Sequence, residues 1–268
     1  MSRARDLLVD IPGGSIFVRR WTAAAGEGDP IFLLHDSLGS VEQWREFPAA
    51  LAAAVGREVI AYDRLGFGRS TARNAPPCVD FIEEEAAELF PALRRELAVT
   101  HFALLGHSVG GAMALVAAAG AAQQCEAVVT EAAQAFVEPR TLAGIRAARA
   151  QFEDPAQFAR LSRWHGDKAR WVLNAWTEVW LSAQFACWSL DRELPAVRCP
   201  VLAIHGDRDE FGSEEFPRRI AAKVGGRAEL KILERCGHVP HRERSAEVVQ
   251  LTAAFLQRHA GAPTMSDS

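Results

Sequence analysis

Residues 106–110 read Gly-His-Ser-Val-Gly, and they stand between a run of apolar residues and an Ala-rich stretch. The apolar run at residues 102–106 predicts a buried strand, and the stretch from residue 108 to about 122 predicts a helix. A Gly-x-Ser-x-Gly segment between a strand and a helix is typical of a nucleophile elbow, where the serine occupies a strained turn and the glycines allow close packing. Ser108 is therefore the candidate nucleophile. Its alternative role is that of a small N-cap residue of the helix.

The rest of the chain alternates between strand-like and helix-like segments. Strands are predicted at eight places, of which the first two form a hairpin: residues 7–11, 16–21, 31–35, 58–63, 102–106, 127–131, 201–205 and 230–233. Helices are predicted at residues 41–55, 81–97, 108–122, 214–224 and 246–259. This alternation predicts the α/β fold class, with a doubly wound and mainly parallel eight-stranded sheet.

One segment interrupts the alternation of strands and helices. Strand-like runs stop after Glu138-Pro139 and resume at Val201, and five of the seven tryptophans lie between Trp164 and Trp188. The segment predicts helices that form a cap inserted between two halves of the sheet. The predicted organisation is a core of residues 1–134 and 196–260, a helical cap at 135–195 and a flexible tail at 261–268.

Composition excludes several classes of protein. The chain has 268 residues, 49% of them hydrophobic, which is enough for one large domain. With a net charge of −4 and scattered basic residues, no nucleic-acid surface is predicted. No signal peptide is predicted, nor any apolar run near the roughly 18 residues that span a bilayer. The five cysteines form no Cys-x-x-Cys pair, so we expect no metal site. We expect free thiols in a cytoplasmic protein. A homodimer is a possible oligomeric state.

Polar residues follow four of the predicted strands at the point where each strand ends. They are His35-Asp36-Ser37, His107-Ser108, Asp207-Arg208-Asp209 and Cys236-Gly237-His238. In open α/β sheets, ligands bind beyond the carboxyl ends of the strands, so we expect these residues to meet at one edge. The chain order Ser…Asp…His is the one found in α/β hydrolases.

Four further segments carry a resemblance to a known family. Residues 33–40 read Leu-Leu-His-Asp-Ser-Leu-Gly-Ser, and residues 61–70 read Ala-Tyr-Asp-Arg-Leu-Gly-Phe-Gly-Arg-Ser. Residues 205–209 read His-Gly-Asp-Arg-Asp, and residues 237–238 read Gly-His. Together with the elbow, these segments resemble the oxyanion loop, the Asp-x-x-Gly-x-Gly-x-Ser segment and the acid and base motifs of the α/β-hydrolase family. The resemblance extends over residues 7–259.

The resemblance implies acyl transfer without a cofactor or a metal. His238 would take the proton of Ser108, which would attack a carbonyl carbon, and Asp209 would orient the imidazole. The backbone N–H groups of Val109 and Ser37 would bind the oxyanion. The chain departs from the family at Asp36, where glycine is usual, and this side chain is expected to constrain the loop or shape the entrance of the site.

Several residues compete for these roles. Asp207 and Glu131 compete with Asp209 as the acid, and both are otherwise expected to be solvated or paired in a salt bridge. His241 competes with His238 as the base, and its alternative place is the rim of the pocket or the start of the last helix. His107 is expected to be structural or to line the site.

The tryptophans of the cap suggest the nature of the substrate. They are first of all expected to form the core of the cap, and Trp164, Trp176 and Trp180 are candidates for the wall of an apolar pocket. We therefore expect a small or medium, largely apolar acyl substrate. A carboxylate-bearing substrate becomes the better hypothesis if one of three cations faces the site, namely Arg163, Lys168 or Arg170.

The resulting prediction is a serine-dependent acyl hydrolase that acts on a carboxylic ester or a related small acyl compound. Other reactions of the same scaffold are alternatives: carbon–carbon bond hydrolysis, enol-lactone opening or a lyase step. The alternative from a different class is a non-catalytic ligand receptor, because a fold does not determine a function.

Overall fold

The computed structural model describes residues 3–22, 28–75 and 78–259. The tail predicted at residues 261–268 lies outside the described residues. Within the described part of the chain, none of the helices combines the length and the apolar character needed to cross a bilayer.

A single mixed sheet forms the centre of the described structure. Its strands are β1 (Arg3–Ile11), β2 (Gly14–Thr22), β3 (Ile31–Leu34), β4 (Val59–Tyr62), β5 (Phe102–His107), β6 (Cys125–Glu131), β7 (Val201–Gly206) and β8 (Ala228–Leu233). Their order is β1-β2-β4-β3-β5-β6-β7-β8. Strand β2 pairs antiparallel with β1 and with β4, and the other pairs are parallel. The predicted fold class is confirmed.

Helices cover both faces of the sheet. They are α1 (Phe47–Val55), α2 (Phe81–Glu84), α3 (Phe90–Glu96), α4 (Val109–Gly120), α5 (Pro139–Gln151), α6 (Pro155–His165), α7 (Ala169–Trp180), α8 (Glu215–Lys223), α9 (Pro240–Glu243) and α10 (Ser245–His259). Successive residues of β5 belong to two different apolar clusters. Leu104 is in the cluster that contains α3, α4 and α8, and Leu105 is in the cluster that contains α1 and α10. Every residue of β5 is buried, as expected of a parallel strand with helices on both faces.

Two prolines explain where predicted helices differ from observed ones. The helix predicted at residues 41–55 begins only at Phe47, after a 3₁₀ turn at Val41–Trp44, because Pro48 fits only in a first turn. The helix predicted at 81–97 contains a π-helical stretch at Glu85–Leu89 between α2 and α3. Pro91 lacks the N–H that would continue the α-helical pattern, and the wider turn accommodates this loss.

Helices α5, α6 and α7 lie between β6 and β7, in the segment predicted to form a cap. In this fully described stretch, strand-type pairing is limited to an isolated bridge between Phe136 and Ser189. Trp180 of α7 is almost completely buried and packs edge-on against Phe185 and Trp188. The aromatic cluster thus belongs to the apolar cluster that α3, α4 and α8 form with the sheet, and it joins α7 to that core.

His165, at the end of α6, fastens the inserted helices to two loops of the core. Its Nδ1 accepts the Gly68 N–H at 2.9 Å, and its Nε2–H donates to the Leu38 carbonyl at 2.9 Å. Burial lowers the pKa of His165 below its usual value, which keeps Nδ1 free to accept. The nearby Lys168 ammonium donates to the carbonyls of Gly68 and Ser70 at 2.7 and 2.9 Å. The inserted segment is therefore anchored to the two loops that carry Leu38 and Gly68.

Candidate active site

Ser108 occupies a strained turn between β5 and α4. Its backbone has φ 57° and ψ −126°, a left-handed conformation that residues with a side chain rarely adopt. A Cβ at position 106 would collide with the Gly110 carbonyl, and one at position 110 would collide with the Leu34 carbonyl. The two glycines are therefore required by the close approach of strand and helix, which holds the Ser108 side chain at the end of β5.

Ser108, His238 and Asp209 are brought together at the carboxyl ends of the strands. Ser108 Oγ lies 3.0 Å from His238 Nε2, and His238 Nδ1 lies 2.9 Å from both carboxylate oxygens of Asp209. The N–H groups of Phe211 and Gly212 donate to Asp209 Oδ1 at 2.7 and 3.1 Å, which fixes the carboxylate. All three side chains of the triad are buried. The geometry is that of a nucleophile, a base and an orienting acid.

The environment sets the protonation states that the chemistry requires. Burial disfavours the charged form of His238, but the Asp209 carboxylate outweighs it and raises the pKa of His238 above its usual value. Burial likewise opposes the ionised form of Asp209, yet His238 and the Phe211 N–H hold the pKa of this carboxyl below its usual value. Asp209 is therefore ionised at neutral pH and keeps the Nδ1 proton on His238, which leaves Nε2 to accept the Ser108 proton.

The competing acids and the competing base lie elsewhere. Asp207 is exposed, and its carboxylate accepts the Cys236 N–H at 3.1 Å. Glu131 is buried against His241, accepting its backbone N–H and contacting its Nδ1, both at 2.9 Å. Burial raises the pKa of Glu131 to about 7 and lowers that of His241 to about 3. Glu131 and His241 thus form a separate buried pair.

The Asp36–Ser37 peptide is held so that its N–H can serve as an oxyanion donor. Arg64 Nη2 donates to the Asp36 carbonyl at 2.7 Å, and His35 Nδ1 lies 2.8 Å from the same oxygen. The Arg64 backbone N–H donates to His35 Nε2 at 3.2 Å, so Nδ1 carries the ring proton and also donates. In a trans peptide the N–H points opposite to the carbonyl, so the Ser37 N–H is turned away from Arg64.

Val109 supplies the second predicted donor. It is the first residue of α4 and directly follows Ser108, so its N–H belongs to the first turn, where helical N–H groups have no partner inside the helix. Among the described residues, neither this N–H nor that of Ser37 has a hydrogen-bond acceptor. Both are therefore free to bind a developing oxyanion.

A cavity of about 150 Å³ opens at the triad. Its lining includes Ser108, His238 and Ser37, and most of its remaining wall is apolar: Leu38, Ile145, Trp176, Trp180, Phe211 and Val239. Two acidic residues, Asp36 and Glu210, also line the cavity, and among the residues that the structure describes no lysine or arginine does. Asp36, the position where the chain departs from the family pattern, is thus part of the cavity wall, and its carboxylate lies 3.7 Å from His107 Nδ1.

Two predicted pocket residues do not line this cavity. Trp164 lies on the outer side of α6 with 38% of its surface exposed, because α6 packs inward through Leu161 and His165. His107 is buried next to His238, and its Nε2 donates to the His238 backbone carbonyl at 2.7 Å. Burial lowers the pKa of His107 to about 4, so it is neutral and supports the loop of His238.

One residue of the site was missed from the sequence. Gln134 follows β6, lines the cavity, and places its Nε2 3.1 Å from Ser108 Oγ. At the end of β6 the sequence pattern had indicated only Glu131, the last residue of the strand. A lone polar residue within Glu131-Ala-Ala-Gln-Ala-Phe, just past a strand end, is the signal that could have found it.

Comparison with known proteins agrees with the geometry. A family model described as the alpha/beta hydrolase family matches residues 31–251. The chain belongs to the α/β hydrolase family. This membership confirms the resemblance found in the sequence. The fold of the chain is also similar to the folds of solved structures. A proline iminopeptidase from Mycobacterium smegmatis has a TM-score of 0.75 at 21% identity, covering 95% of this chain and 98% of that protein.

Two relatives show how varied the reactions of similar hydrolase-family chains are. The acetyltransferase component of an acetoin cleaving system from Pseudomonas putida is 30% identical over 260 residues, covering 90% of this chain and 67% of that protein. A proline iminopeptidase from Lactobacillus helveticus is 37% identical over 90 residues, 34% of this chain and 30% of that protein. The chain thus spans under a third of the length of the Lactobacillus relative.

Proposed function

We propose that this α/β-hydrolase-family protein is a serine-dependent acyl hydrolase acting on a small carboxylic ester or a related acyl compound. The observation that carries the proposal is the continuous set of contacts from Ser108 through His238 to Asp209, 3.0 and 2.9 Å long. Acetyl transfer and peptide hydrolysis, named for two of the relatives, are both reactions at an acyl carbon. They support acyl chemistry as the class of reaction.

The proposed reaction has two stages. Ser108 Oγ attacks the acyl carbon while its proton moves to His238 Nε2, and the carbonyl oxygen becomes an oxyanion bound by the N–H groups of Ser37 and Val109. His238 then protonates the leaving group, and an acyl-enzyme remains on Ser108. In the second stage a water molecule attacks the acyl carbon by the same route and releases the acid.

The lining of the cavity supports an uncharged, largely apolar substrate. Lys168 is committed to the carbonyls of Gly68 and Ser70, and Arg170 stacks over the Phe158 ring at 4.1 Å. Neither these two cations nor Arg163 lines the cavity. The carboxylate-bearing substrate was to become the better hypothesis if one of these cations faced the site. Their positions therefore favour the uncharged, largely apolar substrate.

We expect a neutral p-nitrophenyl ester of a short acyl chain to be hydrolysed faster than a carboxylated ester of matched length. A terminal carboxylate would meet Asp36 and Glu210 at the cavity without a lysine or arginine to pair with it. The measurement is kcat/KM for the two esters. Asp36→Asn should narrow the difference between the esters, whereas a preference for the carboxylated ester would contradict the proposed substrate class.

The pH dependence of kcat/KM should follow His238. The imidazole must be neutral to accept the Ser108 proton, so kcat/KM should rise as pH increases through the pKa of His238, which Asp209 holds above its usual value. Asp36, Glu210, His107 and His205 surround this group, and Glu131 titrates nearby with a pKa of about 7. Glu131→Gln is the control, because it removes this second titrating group. If the inflection of kcat/KM reports His238, it should stay at the same pH in this variant. A flat profile from about pH 5 to 9, with chemistry rate-limiting, would count against His238 as the base.

A further inference from the structure

We propose that Gln134 donates a hydrogen bond to the nucleophile Ser108 and that it acts mainly on deacylation, the step in which the acyl group leaves Ser108. This inference rests on the proposed acyl-enzyme function. The Gln134 side chain is only 5% exposed and lines the cavity. Both ends of its carboxamide contact Ser108 Oγ, Nε2 at 3.1 Å and Oε1 at 3.4 Å.

The hydrogen-bond network fixes which way the carboxamide works. Asp209 holds the Nδ1 proton of His238, so Nε2 of His238 accepts the single proton of Ser108. Ser108 Oγ then has no proton left for Gln134 Oε1. Gln134 Nε2, the nearer atom, must donate to a lone pair of Oγ.

The Gln134 carboxamide bonds to the nucleophile and not to the surrounding framework. Among the described residues, Ser108 Oγ is the only hydrogen-bond partner of the Gln134 side chain. Buried amides in folded proteins usually bond to backbone or to other side chains, and here the partner is the reacting atom itself. The backbone on either side is fixed independently, because the Ala135 carbonyl accepts the Leu190 N–H at 2.8 Å and Ala133 packs closely against Gly111.

Deacylation is the step in which this donor gains most. Water gives a proton to His238 Nε2, and its oxygen bonds to the acyl carbon. The bond from that carbon to Ser108 Oγ then breaks, its electron pair moves to Oγ, and His238 returns the proton to Oγ. A donor already placed at Oγ stabilises the negative charge that builds there as the bond breaks.

The same donor has little effect on acylation. The free hydroxyl of Ser108 is a good acceptor, so the bond from Gln134 is already made before the attack begins. In the acyl-enzyme, Oγ is the alkyl oxygen of an ester and accepts only weakly, so the bond strengthens during deacylation. Only interactions that are stronger in the transition state than in the preceding state accelerate a step.

The test is Gln134→Met, which keeps the length of the side chain and removes the donor, assayed with p-nitrophenyl acetate. In an acyl-enzyme mechanism kcat/KM does not contain the deacylation rate, so kcat and KM should fall together while kcat/KM stays the same. The expected fall is about 10- to 100-fold, the range for a hydrogen bond to a charged group. Intact-protein mass spectrometry should show an acetylated enzyme that accumulates in the variant.

Two controls keep the outcome decisive. Gln151→Met makes the same exchange at an exposed position of α5 and should leave kcat and KM unchanged. The rate of Ser108 labelling by a fluorophosphonate, which reports the attack alone, should be the same in Gln134→Met and in the wild type. A parallel fall in kcat, kcat/KM and labelling, without an acetylated enzyme, would overturn the inference while leaving the proposed function intact. A wild type that neither hydrolyses the ester nor forms an acetylated enzyme would overturn both.

Discussion

Replacing Ser108 with alanine should lower kcat for a p-nitrophenyl ester by roughly 10⁶-fold, the loss that follows removal of a triad serine. Within the described part of the chain, the Ser108 hydroxyl is the group that contacts His238 Nε2, at 3.0 Å, and an alanine leaves no nucleophile at that position. The same residue should carry the adduct when the wild type reacts with a fluorophosphonate probe.

The control for this variant is Ser162→Ala, on α6, whose hydroxyl bonds to the Phe158 carbonyl at 3.2 Å. It should retain wild-type turnover and labelling. Peptide mass spectrometry that places the adduct on a serine other than Ser108, or an alanine variant with undiminished turnover, would refute the acyl-enzyme mechanism.

Asp209→Asn should lower kcat by about 10⁴-fold, because it puts the His238 proton on the wrong nitrogen. The N–H groups of Phe211 and Gly212 donate to Oδ1, so an asparagine would keep its oxygen there and place its NH₂ at the Oδ2 position. That NH₂ would donate to Nδ1, 2.9 Å away, and the ring proton would move to Nε2. Nε2 could then no longer accept the Ser108 proton.

Asp207→Asn is the matched control, because Asp207 precedes Asp209 by two residues and its carboxylate accepts the Cys236 N–H, away from Ser108 and the His238 ring. Its kcat should stay close to that of the wild type. If kcat fell equally in the two variants, the loss would come from a disturbed loop at residues 207–209 and not from a misplaced proton on His238.

The sequence allowed the sheet and most of the site to be predicted because both depend on local patterns. Apolar runs identified the parallel strands, and the polar residues that follow them had to converge at one edge of the sheet. The choice of Asp209 over Glu131 also followed from spacing. The structure shows the reason in physical terms, since Glu131 is turned to His241 on the other side of β6.

What the sequence did not reveal depends on directions that single residues do not encode. Ala132 adopts a left-handed backbone with φ 49°, and this turn carries Gln134 toward Ser108. An alanine at this position does not indicate a left-handed turn. Helical periodicity identified the tryptophans as an apolar group. It could not distinguish Trp164, which faces solvent, from Trp176, which lines the cavity.

The bonds of His165 have a consequence for how this fold can be re-engineered. The Leu38 carbonyl and the Gly68 N–H both end on one imidazole of the inserted segment, and Lys168 adds two more bonds to the same turn. A chimera that exchanged residues 139–180 for the corresponding segment of another enzyme would leave the Gly68 N–H and the Gly68 and Ser70 carbonyls without these partners, at a cost of about 1–3 kcal/mol each. The Leu38 carbonyl would keep its bond from Gln43 Nε2 and lose the one from His165. The segment that lines the cavity at Ser108 thus also supports the loop that carries Ser37, so the two parts cannot be exchanged independently.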